Sequence, residues 1–249
     1  MDAQWLADFR RKTGAVRDLD EVDLTCRHAC ERFGLPYHCF ALRLPTSFLD
    51  PELYVYDSFP APFRDVYVAM DGLHVDPVLL RCYEQSAPVF WDEVFEQTST
   101  DTPSGRYVAK IRSIGLRVGL TCGYRGAGGE FSAFSVATSR DDTRARRYLR
   151  DVAPWATLAG TLLHDAATRL MRLDDATALT PRERECLLWC AEGHTASETA
   201  ERLQIKARTV TFHLRNVSTK LRVNSRQQAV ARAVAMGIVE PRAVTMPSN

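Results

Sequence analysis

The sequence predicts an α+β chain: an N-terminal α-β-α sandwich around an antiparallel sheet over residues 1–173, a polar linker over 174–178, and an all-α domain of four short helices over 179–249. Three observations carry this. Several β-rich runs succeed one another, and two of them flank a glycine-rich turn, which favours antiparallel pairing with helices on the sheet faces. Four helix-periodic segments, three of them with capping residues, then close the chain. Charge divides at the same place. From Leu179 onward there are 11 Lys and Arg against 6 Asp and Glu, while the rest of the chain holds 21 against 25.

Residues 1–33 read as helix, with apolar stripes through Trp5, Phe9, Val22, Cys26, Cys30 and Phe33 and a break expected at Gly14. Tyr37–Leu44 and Glu52–Asp57 are β-rich. Pro60–Met70 reads as a short helix, and Asp76-Pro77 opens another. Pro88–Trp91 is a short apolar strand. Thr102–Ile114 is helical and stops at Gly115. Leu116–Tyr124 and Glu130–Thr138 are strands around Arg125-Gly-Ala-Gly-Gly129. A phosphate-cradling loop needs a helix after it, so these glycines serve a hairpin. Asp141–Leu173 is one long helix in which Pro154 predicts a kink.

Leu179-Thr180-Pro181-Arg182-Glu183 combines a capping box with proline at the first helical position. Thr195-Ala-Ser-Glu198 is a second capping box, and Ser225 caps the last helix. Between them, Val210, Leu214, Val217 and Leu221 share one side of the helix Ala207–Leu221, whereas Arg208, Thr211, Phe212 and Arg215 share the other. Such a helix packs by one face and offers guanidiniums and a hydroxyl on the other. This is the helix-turn-helix arrangement that enters a DNA major groove. The basic excess on this segment suits phosphate neutralisation.

The seven cysteines contain no CxxC pair, and Cys26-Arg-His-Ala-Cys30 falls short of a four-ligand zinc set. With no apolar run long enough to span a bilayer and no signal peptide, the chain reads as a cytoplasmic protein with reduced core thiols and no membrane partner. No nucleophile elbow, metal triad or nucleotide loop is present, so no enzyme, metal or cofactor is expected. His74 near Asp76 is the only suggestive pair, and it reads as solvent-exposed.

The stretch Leu179–Val230 resembles the LuxR-type DNA-binding domain through Leu179, Thr180, Arg182, Glu183, Gly193, Glu198, Ala200, Leu203, Thr209, Val210, His213, Asn216, Lys220, Leu221 and Ala229. Lys206 stands where the family usually places a capping serine, a loss of ~1 kcal/mol. The resemblance implies base-edge or phosphate contacts for Arg208, Thr209, Thr211 and Arg215. Phosphate contacts alone are expected of Lys206, Lys220, Arg222 and Arg226. It further implies a homodimer on a two-fold symmetric site in double-stranded DNA, with RNA polymerase as a further partner.

The N-terminal part is similar to the acyl-homoserine-lactone-binding domain that precedes such DNA-binding domains. The residues that carry this are Tyr67, Asp76-Pro77, Trp91, Gly115, Gly119 and Ser135. It implies a pocket for a small-molecule apolar signal. Asp76 would accept an amide N–H, Tyr67 and Ser135 would donate to an acyl carbonyl, and Trp91 would wall a small ring. Leu44, Val55, Phe59, Phe63, Val78, Leu79, Leu116 and Phe134 are expected to line it. Phe63 replaces a tryptophan donor and Phe59 a tyrosine, so two hydrogen-bond donors are missing. A buried ligand carbonyl without a partner would lose ~1–3 kcal/mol. The expected function is thus a ligand-responsive, quorum-sensing type of DNA-binding regulator. A constitutive regulator with a Phe-filled pocket and a phosphorylation-controlled response regulator remain as alternatives.

Overall fold

A computed structural model describes residues 2–45, 51–126, 129–173, 179–236 and 238–239. It holds two compact units, the first built largely from residues 1–171 and the second largely from 172–249. The linker expected at 174–178 lies outside the described residues, as do positions 127–128 of the hairpin turn and positions 240–249.

The first unit opens with α1 (Ala3–Ala15) and α2 (Leu19–Arg32), capped by Asp2 and Asp18. The break falls at residues 16–18 and not at Gly14, because Asp18 accepts the Glu21 amide and starts a new helix there. The strands β1 (Tyr37–Leu44) and β2 (Glu52–Asp57) follow. Next come α3 (Phe63–Ala69), α4 (Gly72–Val75), α5 (Pro77–Glu84), β3 (Val89–Phe90), α6 (Trp91–Gln97) and α7 (Pro103–Ser113). Two of these, α4 and α6, are absent from the sequence reading. Each is two turns or less and shows too little periodicity to register. Trp91 therefore begins a helix instead of ending a strand. The strands β4 (Val118–Arg125) and β5 (Phe131–Thr138) lead into α8 (Thr143–Leu173), which continues through Pro154.

The sheet runs β2-β1-β5-β4-β3, with β1/β5, β5/β4 and β4/β3 antiparallel. Every residue of the central β5 is buried, which requires cover on both faces. One cover is α8: Ser132 Oγ lies 2.8 Å from His164 Nδ1, and the Tyr124 hydroxyl donates to the Thr157 carbonyl at 2.8 Å. The other cover comes from α3 to α7, whose Phe63, Val66, Val78, Val94, Phe95, Tyr107 and Ile111 form one apolar cluster with Phe131, Ala133 and Ala137 of β5. The α-β-α sandwich around an antiparallel sheet is thus realised.

The second unit contains α9 (Pro181–Ala191), α10 (Ala196–Leu203), α11 (Ala207–Lys220) and α12 (Arg226–Ala235). Both predicted capping boxes form, and Ser225 caps α12. Val210 and Val217 are fully buried and Leu221 nearly so. They split between two small clusters, one with Cys186 and Ala200, the other with Leu187, Ala229 and Ala233.

Candidate functional site

Between β1, β2, β4, β5 and the helices α3 to α7 lies a cavity of about 280 Å³. Tyr67, Asp76, Trp91, Ser135, Phe59 and Phe63 all line it, with Val55, Val78, Leu79 and Leu116. Leu44 and Phe134 do not. Side chains alternate across a strand, and β1 turns Cys39, Ala41 and Arg43 to the cavity while β5 turns Phe131, Ala133 and Ser135. Phe134 consequently packs on the opposite face, and Leu44 sits one residue out of phase with Arg43.

The polar groups are few and mostly held by each other. Asp76 caps α5: its Oδ1 accepts the amides of Val78 at 2.9 Å and Leu79 at 3.3 Å. Its Oδ2 accepts the Tyr107 hydroxyl at 3.2 Å. The carboxyl thus combines an N-cap with a cavity-facing position. Burial pushes its pKa up to about 6, against the opposing pull of the two amides and Tyr107. Burial and the nearby Asp76 also push the Tyr67 and Tyr107 hydroxyls well above the ordinary tyrosine value. Both stay protonated donors at any physiological pH.

Trp91 Nε1 donates to Thr121 Oγ1 at 2.8 Å, and Thr121 Oγ1 lies 2.9 Å from Ser135 Oγ. The cross-strand register sets this row, with Thr121 opposite Ser135. Three donors here share two links. One hydroxyl hydrogen, on Thr121 or Ser135, is left for the cavity. Thr121 and Tyr107 escaped the sequence reading because each gains its role from a partner far away in the chain. The rest of the wall is aromatic. Phe59 meets Phe63 edge-on at 4.8 Å and Trp91 at 6.0 Å, while Phe63 lies 5.4 Å from Tyr67. Gly119 is needed beneath this wall, since a Cβ there would sit 2.5 Å from the Trp91 indole.

Outside the cavity, His38 joins Asp23 at 3.0 Å through Nε2 and Ser58 at 3.0 Å through Nδ1. The three look like a nucleophilic triad. Ser58 also accepts the His38 amide at 2.9 Å, and His38 is 1% exposed, so the group is a latch around a buried histidine that ties α2, β1 and the end of β2 together. His74 pairs with Asp71 and is exposed. All seven cysteines are free and buried, and burial raises the thiol pKa of Cys26, Cys30, Cys39, Cys82, Cys122 and Cys186, Cys30 to about 12. Among the described residues no cluster of His, Cys, Asp and Glu could hold a metal ion, and no helix is long and apolar enough to cross a membrane.

In the second unit Lys206, Arg208, Thr211, Phe212 and Arg215 are exposed along α11, with Thr209 half-buried beside them. Thr211 donates to the Ala207 carbonyl at 3.1 Å, so its hydroxyl can act outward only as an acceptor. Arg222 is exposed just beyond α11. Two cations expected at phosphates are instead engaged internally. Lys220 Nζ lies 2.6 Å from the buried Glu183, and Arg226 donates to the His194 carbonyl and to Cys190 Sγ.

Two family models match this chain. Residues 18–167 match the autoinducer binding domain, and residues 177–233 match the luxR family of bacterial regulatory proteins. The chain belongs to the LuxR family of regulators. Among the LuxR-family relatives, the transcriptional activator protein AhyR of Aeromonas hydrophila is 31% identical over 97% of this chain and 94% of its own length. In fold, the chain resembles SdiA of Escherichia coli, with a TM-score of 0.80 and 23% identity over 95% of this chain and 99% of that one. It also resembles SdiA in complex with octanoyl-rac-glycerol, with a TM-score of 0.79 and 23% identity over 98% of this chain and 100% of that one. This LuxR-family chain is a ligand-responsive, DNA-binding transcriptional regulator, and the family is one of transcription factors rather than enzymes. The autoinducer-binding match covers the region where a phosphorylation-controlled regulator would need its receiver.

Proposed function

We propose that residues 1–173 sense an acyl-homoserine lactone or a related apolar signal, and that residues 179–249 read DNA as a homodimer, joined by the linker 174–178. The observation that carries this is the apolar cavity holding one half-buried carboxylate, Asp76, beside hydroxyl donors. Asp76 accepts an amide N–H. Tyr67 and the spare hydroxyl of the Thr121–Ser135 pair donate to the acyl carbonyl. Trp91, Phe59 and Phe63 enclose the head group. Trp91 spends its N–H on Thr121 and Phe63 has none, so a lactone carbonyl meets an apolar wall. About 280 Å³ remains beside the two phenylalanines, which speaks against a self-filled pocket.

Ligand binding stabilises the sensor by mass action. The LuxR-family relative AhyR is named a transcriptional activator, which supports activation and contact with RNA polymerase here. Exposed Tyr148 and Leu158 on α8 and Val234 on α12 are apolar positions available to a partner copy. The test is thermal melting of the full chain against acyl-homoserine lactones of graded length, with octanoyl-glycerol alongside, repeated on Phe63→Trp. An upward shift with any lactone, enlarged in Phe63→Trp, supports a lactone. A shift with the glycerol ester alone assigns a lactone-free signal. No shift with any acyl compound overturns the sensor reading.

On the DNA side, Arg208 and Arg215 are the base-edge or phosphate contacts, Thr209 and Thr211 accept from bases or neighbouring donors, and Lys206 and Arg222 touch phosphates. Lys220 supports the helix from within. Lys206→Ala is expected to weaken binding evenly across DNA sequences and to flatten the dependence of log K on log salt by about one unit. Arg208→Ala and Arg215→Ala are expected to relax sequence preference as well where they meet base edges. Titration of labelled duplex at several salt concentrations measures both effects.

A further inference from the structure

The cavity holds two arginines, and they differ. Arg64 pairs with Asp57 at 2.8 Å and is largely exposed. The half-buried Arg43 side chain has no hydrogen bond or ion pair among the described residues, and its Nε is out of reach of solvent and without a partner. Its guanidinium sits over the Tyr83 ring at 5.7 Å, and Tyr83 in turn lies 4.3 Å from Phe131. A third arginine nearby, Arg125, is already spent on the carbonyls of Cys82 and Tyr83.

Strand register fixes where Arg43 stands. Cys39 is opposite Ser135, and Ser135 is opposite Thr121, so these mark the hydroxyl row beside Trp91. Arg43 is opposite Phe131, four residues further along the same face of β1. Four residues of strand span ~13 Å. The cavity therefore has a neutral hydrogen-bonding end and a cationic end, with apolar wall between them. Its one lining carboxylate, Asp76, is engaged with the α5 amides and Tyr107.

A purely apolar chain end gives this half-buried guanidinium, with its Nε shut off from water, nothing to bond, whereas a carboxylate matches its fork with two charge-assisted hydrogen bonds. We infer that the cationic end of the cavity is a carboxylate site served by Arg43, so that the signal is two-ended: a polar head at the Trp91–Thr121–Ser135 row and an acid group closing its chain. This rests on the proposed reading of the cavity as a ligand site.

The experiment uses the full chain and two matched pairs of probes. One pair is decanoyl-homoserine lactone and the same molecule with its terminal methyl replaced by a carboxyl. The other pair carries a glycerol head. Affinity is read by calorimetric titration on wild type, Arg43→Met and Arg43→Lys. The acid-ended member of a binding pair is expected to bind wild type about tenfold tighter or more. That preference should vanish or invert in Arg43→Met and survive in part in Arg43→Lys. Each variant is judged by the ratio within a pair, so a general loss of fold does not mimic the result. Equal affinity in wild type, or a ratio untouched by Arg43→Met, overturns the inference and leaves the ligand reading standing. If neither pair binds, both fall.

Discussion

Asp76→Asn is expected to yield a chain that is more stable at neutral pH and answers its ligand far more weakly. Asparagine caps a helix about as well as aspartate, so the amides of Val78 and Leu79 keep a partner. What the substitution removes is the charge. The carboxyl is driven from its ordinary 3.8 to about 6 by burial, so its ionised form is disfavoured inside the folded unit. A group with a raised folded pKa stabilises most below its unfolded value, and that contribution drains away as pH rises through the folded value. The ligand-free wild type should therefore lose melting temperature between about pH 4 and pH 6, a loss worth up to ~3 kcal/mol. Asp76→Asn should be flat across that window and melt higher at neutral pH.

The ligand reverses the sign. An amide N–H donated to Asp76 favours the carboxylate, so ligand affinity should fall as pH drops below about 6. In Asp76→Asn affinity should fall at neutral pH by about ten- to a hundredfold, the scale of a hydrogen bond to a charged group. Melting curves from pH 4 to pH 8, with and without the best acyl probe, test both halves. Undiminished ligand response in a well-folded Asp76→Asn would remove Asp76 from the binding set and leave it a cap.

Glu183→Ala should be the most damaging single change in the helix-turn-helix unit. Glu183 is 3% exposed and its Oε2 takes the Thr180 amide at 2.8 Å and Lys220 Nζ at 2.6 Å. Removing it opens the first capping box and deprives Lys220, at the far end of α11, of this carboxylate. Lys220 is 32% exposed and can hydrate once its partner is gone, so the cost is that of the lost hydrogen bonds to a charged group, ~1.5–3 kcal/mol, still a large share of the stability of so small a domain. Burial raises the Glu183 pKa, but the Lys220 ammonium and the Thr180 hydrogen bonds outweigh it and hold the net value below the ordinary 4.5. This contribution is present above the unfolded carboxylate pKa and is lost as pH falls through the folded one. Chemical denaturation at pH 7 and at a series of lower pH values checks it: wild type and Glu183→Ala should differ widely at pH 7, and the gap should narrow as pH falls below 4.5. Lys220→Met should lower stability and leave the salt slope of DNA binding near wild type, because the lysine charge is engaged internally.

Much of this was open to sequence reading. The caps at Thr180, Thr195 and Ser225, the apolar face of α11 and the run of strands are local signals, set within about four residues by helix period and strand alternation. The glycine-rich turn marked the hairpin, and the family resemblance carried by Tyr67, Asp76-Pro77 and Trp91 pointed to a pocket in the first domain. Short elements escaped: α4 and α6 are too brief for periodicity, and the Asp18 cap moved the first helix break away from Gly14.

Signals along the chain sufficed for the order of elements, the two-part organisation, the faces of the helices and the family. Tertiary structure alone decided which partners meet. It brought Tyr107 to Asp76, Thr121 between Trp91 and Ser135, Lys220 to Glu183, and set Arg43 over Tyr83 with its Nε unpartnered. The physical reason is range. Caps and periodicity act between neighbours along the chain, whereas a buried donor takes whatever acceptor packing sets beside it, tens of residues away.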